Sequence, residues 1–183
     1  MAIIIYPKYS KGPVNAGEER MLKYLEVNLP DDFFIIPNVE FANATPYGQV
    51  QYLEYDCIVV TPHALYNIEN KDWSGKLEGD DNTWYLNDSE KPNPLKTLRF
   101  KTGVLASKLK AKNPVWSAAW IASLLTLSWP KQTKFGLWGD CEKATYLLDK
   151  KLIEFISTPS GYYALIDPSY THQIDPPKLT ALI

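Results

Sequence analysis

Apolar positions change their spacing several times along the chain, and each change marks an element. Met21, Leu22, Leu25 and Leu29 recur at three- and four-residue intervals after Asn15-Ala-Gly-Glu18 and stop at Pro30. That spacing predicts a helix with Asn15 as N-cap and Glu18 at its third position. Phe33 to Phe41 and Val50 to Thr61 are largely β-branched, aromatic or apolar and read as strands, and a turn at Pro62-His63 returns the chain as a hairpin arm from Ala64 to Lys71. Trp73-Ser-Gly75 closes that arm, and Thr83 to Leu86 reads as a short edge strand. Asn93-Pro94 opens a second helix running to about Ala111, with Leu95, Leu98, Val104, Leu105 and Leu109 as its apolar stripe and Gly103 weakening its middle. Ala118 to Ser128 is too continuously apolar for a half-exposed strand, so a sheet strand covered on both faces is expected, with a short helix as the competing reading. Ala144 to Ile156 reads as a last helix, with Leu147, Leu148, Leu152, Ile153 and Ile156 on one side. The order helix, three strands, helix, strand, helix is that of an α/β domain with a mixed sheet.

Length and composition fit one such domain. A chain of 183 residues can bury roughly 70% of its unfolded surface. Residues 1–14 form a lead-in, 15–157 the domain, and 158–183 an aperiodic extension or linker to a further domain absent from the sequence. Two cysteines, Cys57 and Cys141, are too few for a disulfide framework, which with no export signal points to the cytoplasm. No apolar stretch approaches the roughly 20 residues of a membrane span, so no membrane partner is expected.

The net charge of −2 hides a polarised chain. Tyr24 to Asn70 holds seven acids and no Lys or Arg, whereas Lys91 to Lys112 holds Lys91, Lys96, Arg99, Lys101, Lys108, Lys110 and Lys112 and no acid. An acid-free basic helix is the footprint of a phosphate-binding surface, although a solvated helix face produces the same pattern.

The informative chemistry lies on the hairpin. Asp56 interrupts an apolar strand, and Glu69 and Lys71, two apart on the next arm, share a face. Antiparallel pairing brings Asp56 beside Glu69, and two converging carboxylates call for a cation. With no His or Cys among them, oxygen ligands suit Mg²⁺ or Mn²⁺ rather than Zn²⁺. Such an ion polarises a phosphoryl oxygen and acidifies water, and Lys71 is placed to position that water or offset phosphate charge. An ion pair closing the hairpin is the plainer reading of Glu69 and Lys71, as a capping box is of Glu18. Trp73, close to Lys71, is a candidate for base stacking.

Gly17-Glu18, Glu54-Tyr-Asp56-Cys-Ile-Val-Val-Thr61, Ile68-Glu-Asn-Lys-Asp-Trp-Ser-Gly75 and Asn93-Pro94 before a basic helix, in that order and spacing, resemble a NERD (nuclease-related) domain of the PD-(D/E)XK nuclease superfamily. The resemblance covers Asn15 to about Lys112, with a weaker tail to Ile156. It implies a restriction-endonuclease-like mixed sheet flanked by helices and Mg²⁺-dependent hydrolysis of phosphodiester bonds in DNA or RNA. It further implies Asp56 and Glu69 as metal ligands, Lys71 as the catalytic lysine and Glu18 as the helix-one acid completing the site. Lys96, Arg99, Lys101, Lys108, Lys110 and Lys112 would hold the phosphate backbone. The sequence departs from the family pattern where Lys96 and Thr97 stand in the neighbourhood of a common Gln, and where Tyr55 rather than Pro precedes Asp56. Fusion to a kinase or helicase module in bacterial DNA processing or phage defence is the context the resemblance suggests. A nuclease fold kept as an inactive nucleic-acid or protein docking module is the alternative.

Overall fold

The lead-in opens with a two-residue strand, β1 (Ile3–Ile4), and the first helix, α1 (Ala16–Asn28), starts where its spacing predicts, with the Asn15 side chain accepting the Glu18 N–H. The structure, a computed structural model, describes residues 1–8, 12–45, 47–129, 135–158 and 174–183. The apolar runs form β2 (Phe34–Ala44), β3 (Val50–Val60) and β4 (Leu65–Lys71), followed by three short strands, β5 (Leu77–Gly79), β6 (Trp84–Leu86) and β7 (Ser89–Lys91). The basic segment is one helix, α2 (Pro94–Lys112), capped by Asn93 and passing uninterrupted through Gly103. A 3₁₀ turn (Pro114–Ala118) leads into β8 (Ile121–Leu127).

Six strands form the main sheet in the order β1-β2-β3-β4-β8, closed by β10 (Thr145–Leu147). β2, β3 and β4 are antiparallel, while β1 runs parallel to β2, and β4, β8 and β10 run parallel to one another. β8 is therefore interior, in keeping with its largely apolar sequence. Met21, Leu22 and Leu25 of α1 cover one face together with Leu152 and Ile156 of α4 (Lys150–Ser157). Leu105 and Leu109 of α2 cover the other, together with Leu179 of a C-terminal helix, α5 (Pro176–Thr180). This mixed sheet with helices on both faces is consistent with a restriction-endonuclease-like fold.

Two expectations change. Thr83 to Leu86 is not an edge: β6 lies inside a second, four-stranded sheet ordered β7-β6-β5 and then β9 (Phe135–Leu137), with Trp84 fully buried. The expected helix from Ala144 to Ile156 is divided into a short helix, α3 (Asp140–Lys143), then β10, then α4. Thr145 and Tyr146 favour the strand, and Asp149 caps α4 by accepting the Lys151 and Leu152 N–H groups. Leu147 and Leu148 fit either period, which is why spacing alone merges the two elements. Most of the segment after Ser157 lies outside the described residues; of those described, Ile174 and Leu179 are buried in the α2-side core.

Candidate active site

β3 and β4 pair from Val60↔Leu65 to Cys57↔Ile68 and then separate, with Asp56 and Glu69 next in register. The separation begins at an irregularity shared with β2. Asn38 lies between the pairs Pro37↔Cys57 and Val39↔Tyr55, hence opposite Asp56, and has φ 50°. Tyr55 and Ile58, three residues apart, consequently pack in the same α2-side cluster, as do Ile36 and Val39 on β2. A regular strand would put each pair on opposite faces. The change of face turns the Asp56 carboxylate towards the end of β4, where Oδ2 accepts the Asn70 N–H at 2.8 Å. No donor among the described residues reaches Oδ1. Burial first, then the neighbouring Glu69 charge and Glu18, outweigh the Asn70 N–H and Lys101 and together push the Asp56 carboxyl up to about 6.

Glu69 and Lys71 point towards α2, as their shared strand face predicts. Glu69 Oε1 accepts from Lys71 Nζ at 2.7 Å, and Oε2 accepts from Lys101 Nζ at 2.9 Å. Burial alone would raise the Glu69 carboxyl, but the two ammonium groups outweigh it and hold the group below the usual range. Adjacent carboxylates are thus pushed apart: Asp56 binds its proton more tightly and Glu69 less.

Glu18 is close enough to act on Asp56 electrostatically, but its oxygens serve the helix start. Oε2 accepts the Val14 N–H at 2.8 Å and Oε1 accepts from Asn15 Nδ2 at 2.6 Å. Gly17 makes this approach of α1 possible, because a Cβ there would lie 2.7 Å from Asp72 Cβ and 2.9 Å from Ser128 Oγ. Behind the site, Asn70 donates from Nδ2 to Ser128 Oγ and accepts from Thr126 Oγ1, each at 3.0 Å, while Arg20 pairs with Asp72 and donates to the Ser128 carbonyl. These bonds fix the strand ends that carry Glu69 and Lys71.

The donor set suits a hard divalent ion at Asp56 and Glu69. Mg²⁺ is commonly held by one or two carboxylates with water completing the shell, and Asp56 Oδ1 meets no described donor. Glu18 is not brought into that set: among the described residues, no group of three or more His, Cys, Asp or Glu side chains is placed to hold a metal ion.

On α2, Lys96, Arg99, Lys110 and Lys112 are exposed, and Lys108 lies half-buried with its ammonium 5.9 Å from the Phe41 ring centroid. Arg99 and Lys108 line an open groove of about 410 Å³ with Phe100 and Asn43. Trp73 is half-buried and meets Trp84 edge-to-face at 6.2 Å, packed against a further apolar cluster that includes Leu77, Leu95 and Leu98. Lys101, expected along the phosphate-holding face, lies instead against Glu69. Its position was readable in outline, since residue 101 follows Leu98 by three and precedes Leu105 by four, on the edge of the apolar stripe. Asn70, Thr126, Ser128 and Tyr55 gave no signal of their kind, because each supports the site through long-range hydrogen bonds.

A mixed sheet whose splayed strand ends carry an Asp, a Glu and a Lys defines the PD-(D/E)XK-like nuclease class. The family model for the nuclease-related domain, NERD, matches residues 13–128, well over half of the chain, and the chain belongs to that family and through it to that superfamily. Neither a curated protein nor a solved structure matches it. The family is nuclease-related, which implies contact with nucleic acid, and nucleases of the superfamily typically use divalent metals. Among the described residues, no helix is long and apolar enough to cross a membrane.

Proposed function

We propose that this protein is a metal-dependent nuclease that hydrolyses phosphodiester bonds, with DNA as the favoured polymer. The observation that carries the reading is the juxtaposition of Asp56 and Glu69 where β3 and β4 part, with Lys71 on the Glu69 side. Asp56 and Glu69 would hold Mg²⁺ or Mn²⁺, which supplies Lewis-acid stabilisation of phosphoryl charge and acidifies water. Lys71 orients the attacking water or stabilises charge developing on the phosphate as the bond to the leaving oxygen breaks. The exposed cations of α2 hold the backbone without reading bases. Glu18 serves as the cap that sets α1 against the site and adds negative potential there.

The test is cleavage of plasmid DNA and of RNA with Mg²⁺ or Mn²⁺. EDTA abolishes it, and Asp56→Asn and Lys71→Ala each lower the rate by about a hundred-fold or more. Cleavage unchanged by both substitutions would refute the site. The docking alternative is favoured by one observation, the engagement of both Glu69 oxygens by lysines. It wins if the wild type never cleaves yet binds DNA with a steep salt dependence that disappears when Lys96, Arg99 and Lys110 are neutralised.

A further inference from the structure

Among the described ion pairs, Lys101 is the one cation of α2 that has a carboxylate partner. Lys96, Arg99, Lys110 and Lys112 are exposed, whereas the Lys101 side chain is only 14% exposed and meets a Glu69 side chain that is 15% exposed. Its location is built by three contacts from three strands. The buried Tyr55 hydroxyl donates to the Lys101 carbonyl at 2.8 Å. Asn67 Nδ2 donates to Thr102 Oγ1 at 2.9 Å, and Thr102 Oγ1 bonds Ser123 Oγ at 2.7 Å. Together they fix both the rotation of α2 about its axis and its height along the sheet. The backbone at Lys101 is thereby fixed over the end of β4, within reach of Glu69 Oε2, to which its ammonium donates.

A carboxylate that already has an ammonium on each oxygen is a poor ligand for a further cation. Any divalent ion using Glu69 must displace one of the two or accept its repulsion at close range. Lys71 reaches Glu69 from the same strand, whereas Lys101 reaches across from the helix. We propose that Lys101 is a positioning residue of the active site, a resident cation that holds Glu69 in place and competes with the divalent ion for Oε2. It belongs with the cutting machinery rather than with the strand-holding face. This rests on the reading of Asp56 and Glu69 as cation ligands.

Competition makes a prediction that a structural role does not. A purely structural lysine, once removed, leaves a looser site and weaker metal binding, whereas a competing lysine leaves a freer carboxylate and tighter binding. The experiment is calorimetric titration of Mn²⁺ into the full chain without nucleic acid. Lys101→Met should bind Mn²⁺ at least five-fold more tightly than the wild type. Lys101→Gln, which keeps a donor for Glu69 without the charge and protects the fold, should shift in the same direction. Lys150→Met, a charge removal at the exposed start of α4, should stay within two-fold, and Asp56→Asn should lose binding. If Asp56→Asn loses binding but both Lys101 variants remain within two-fold of the wild type or bind more weakly, the competing role is wrong and the ligand reading stands. If neither the wild type nor the Lys101 variants bind Mn²⁺ at millimolar concentration, the ligand reading itself fails and takes the proposal with it.

Discussion

Asp56 holds a charge that its surroundings resist. The folded carboxyl is pushed up to about 6, while the unfolded one titrates near about 3.9. Between those values the folded chain keeps a proton that the unfolded chain has released, so the contribution of this group to stability falls as pH rises through that window. Glu69 runs the other way, since its lowered pKa gives stability that is present above its unfolded value and lost as pH falls through the folded one. Substituting Asp56 isolates its share. In urea denaturation with EDTA, Asp56→Asn should be more stable than the wild type at pH 7.5, on the order of 2 kcal/mol, and indistinguishable from it near pH 4. A variant less stable at pH 7.5 would mean that Asp56 has a partner beyond the Asn70 N–H. At this scale the sequence was partly legible. A carboxylate inside Glu54-Tyr-Asp-Cys-Ile-Val-Val stands out, and so does an acid-x-Lys triplet ending a strand. The attachment of Lys101 to Glu69 was not, because it depends on the rotation of a helix thirty residues away.

At the scale of elements, two glycines in helices have opposite meanings that composition cannot separate. Gly17 lies where α1 meets the ends of β4 and β8, and a Cβ there would lie 2.7 Å from Asp72 Cβ. Gly103 is midway along α2, with nothing within 4 Å of an added Cβ. Alanine is the better helix former at both, by about 0.5–1 kcal/mol, but at Gly17 overpacking of about 1–3 kcal/mol exceeds it. Gly17→Ala should therefore lower the urea midpoint and Gly103→Ala should raise it; a gain at Gly17 would show that the strand ends yield easily. The elements themselves were legible wherever one period held: α1 from its leucines and cap, the β3–β4 hairpin from its apolar arms, α2 from its stripe. Legibility failed where a period was shared or broken. Leu147 and Leu148 satisfied a helix that Thr145 and Asp149 divide. The face change at Asn38 and Asp56 shows in the sequence only as one polar residue in each apolar strand, which does not reveal that the residues on either side share a face.

At the scale of the whole molecule, helices close the sheet from both sides, and the last of them comes from a part of the sequence with no apolar period of its own. Leu179 is fully buried where the C-terminal helix packs on β2 and β3, in one core with Leu105 and Leu109 of α2, and Ile174 is nearly so. Leu179→Ala should cost about 2–4 kcal/mol, read as a drop in denaturation midpoint; a loss under 1 kcal/mol would mark α5 as an accessory. The family match ends at residue 128, yet the core on the α1 face is completed by Leu152 and Ile156, and the core on the α2 face by Ile174 and Leu179. The family match and the packed core thus end at different places on one chain. A fragment cut at residue 128 would retain Asp56, Glu69, Lys71 and Lys101 and leave bare the apolar surfaces that Leu152, Ile156, Ile174 and Leu179 cover.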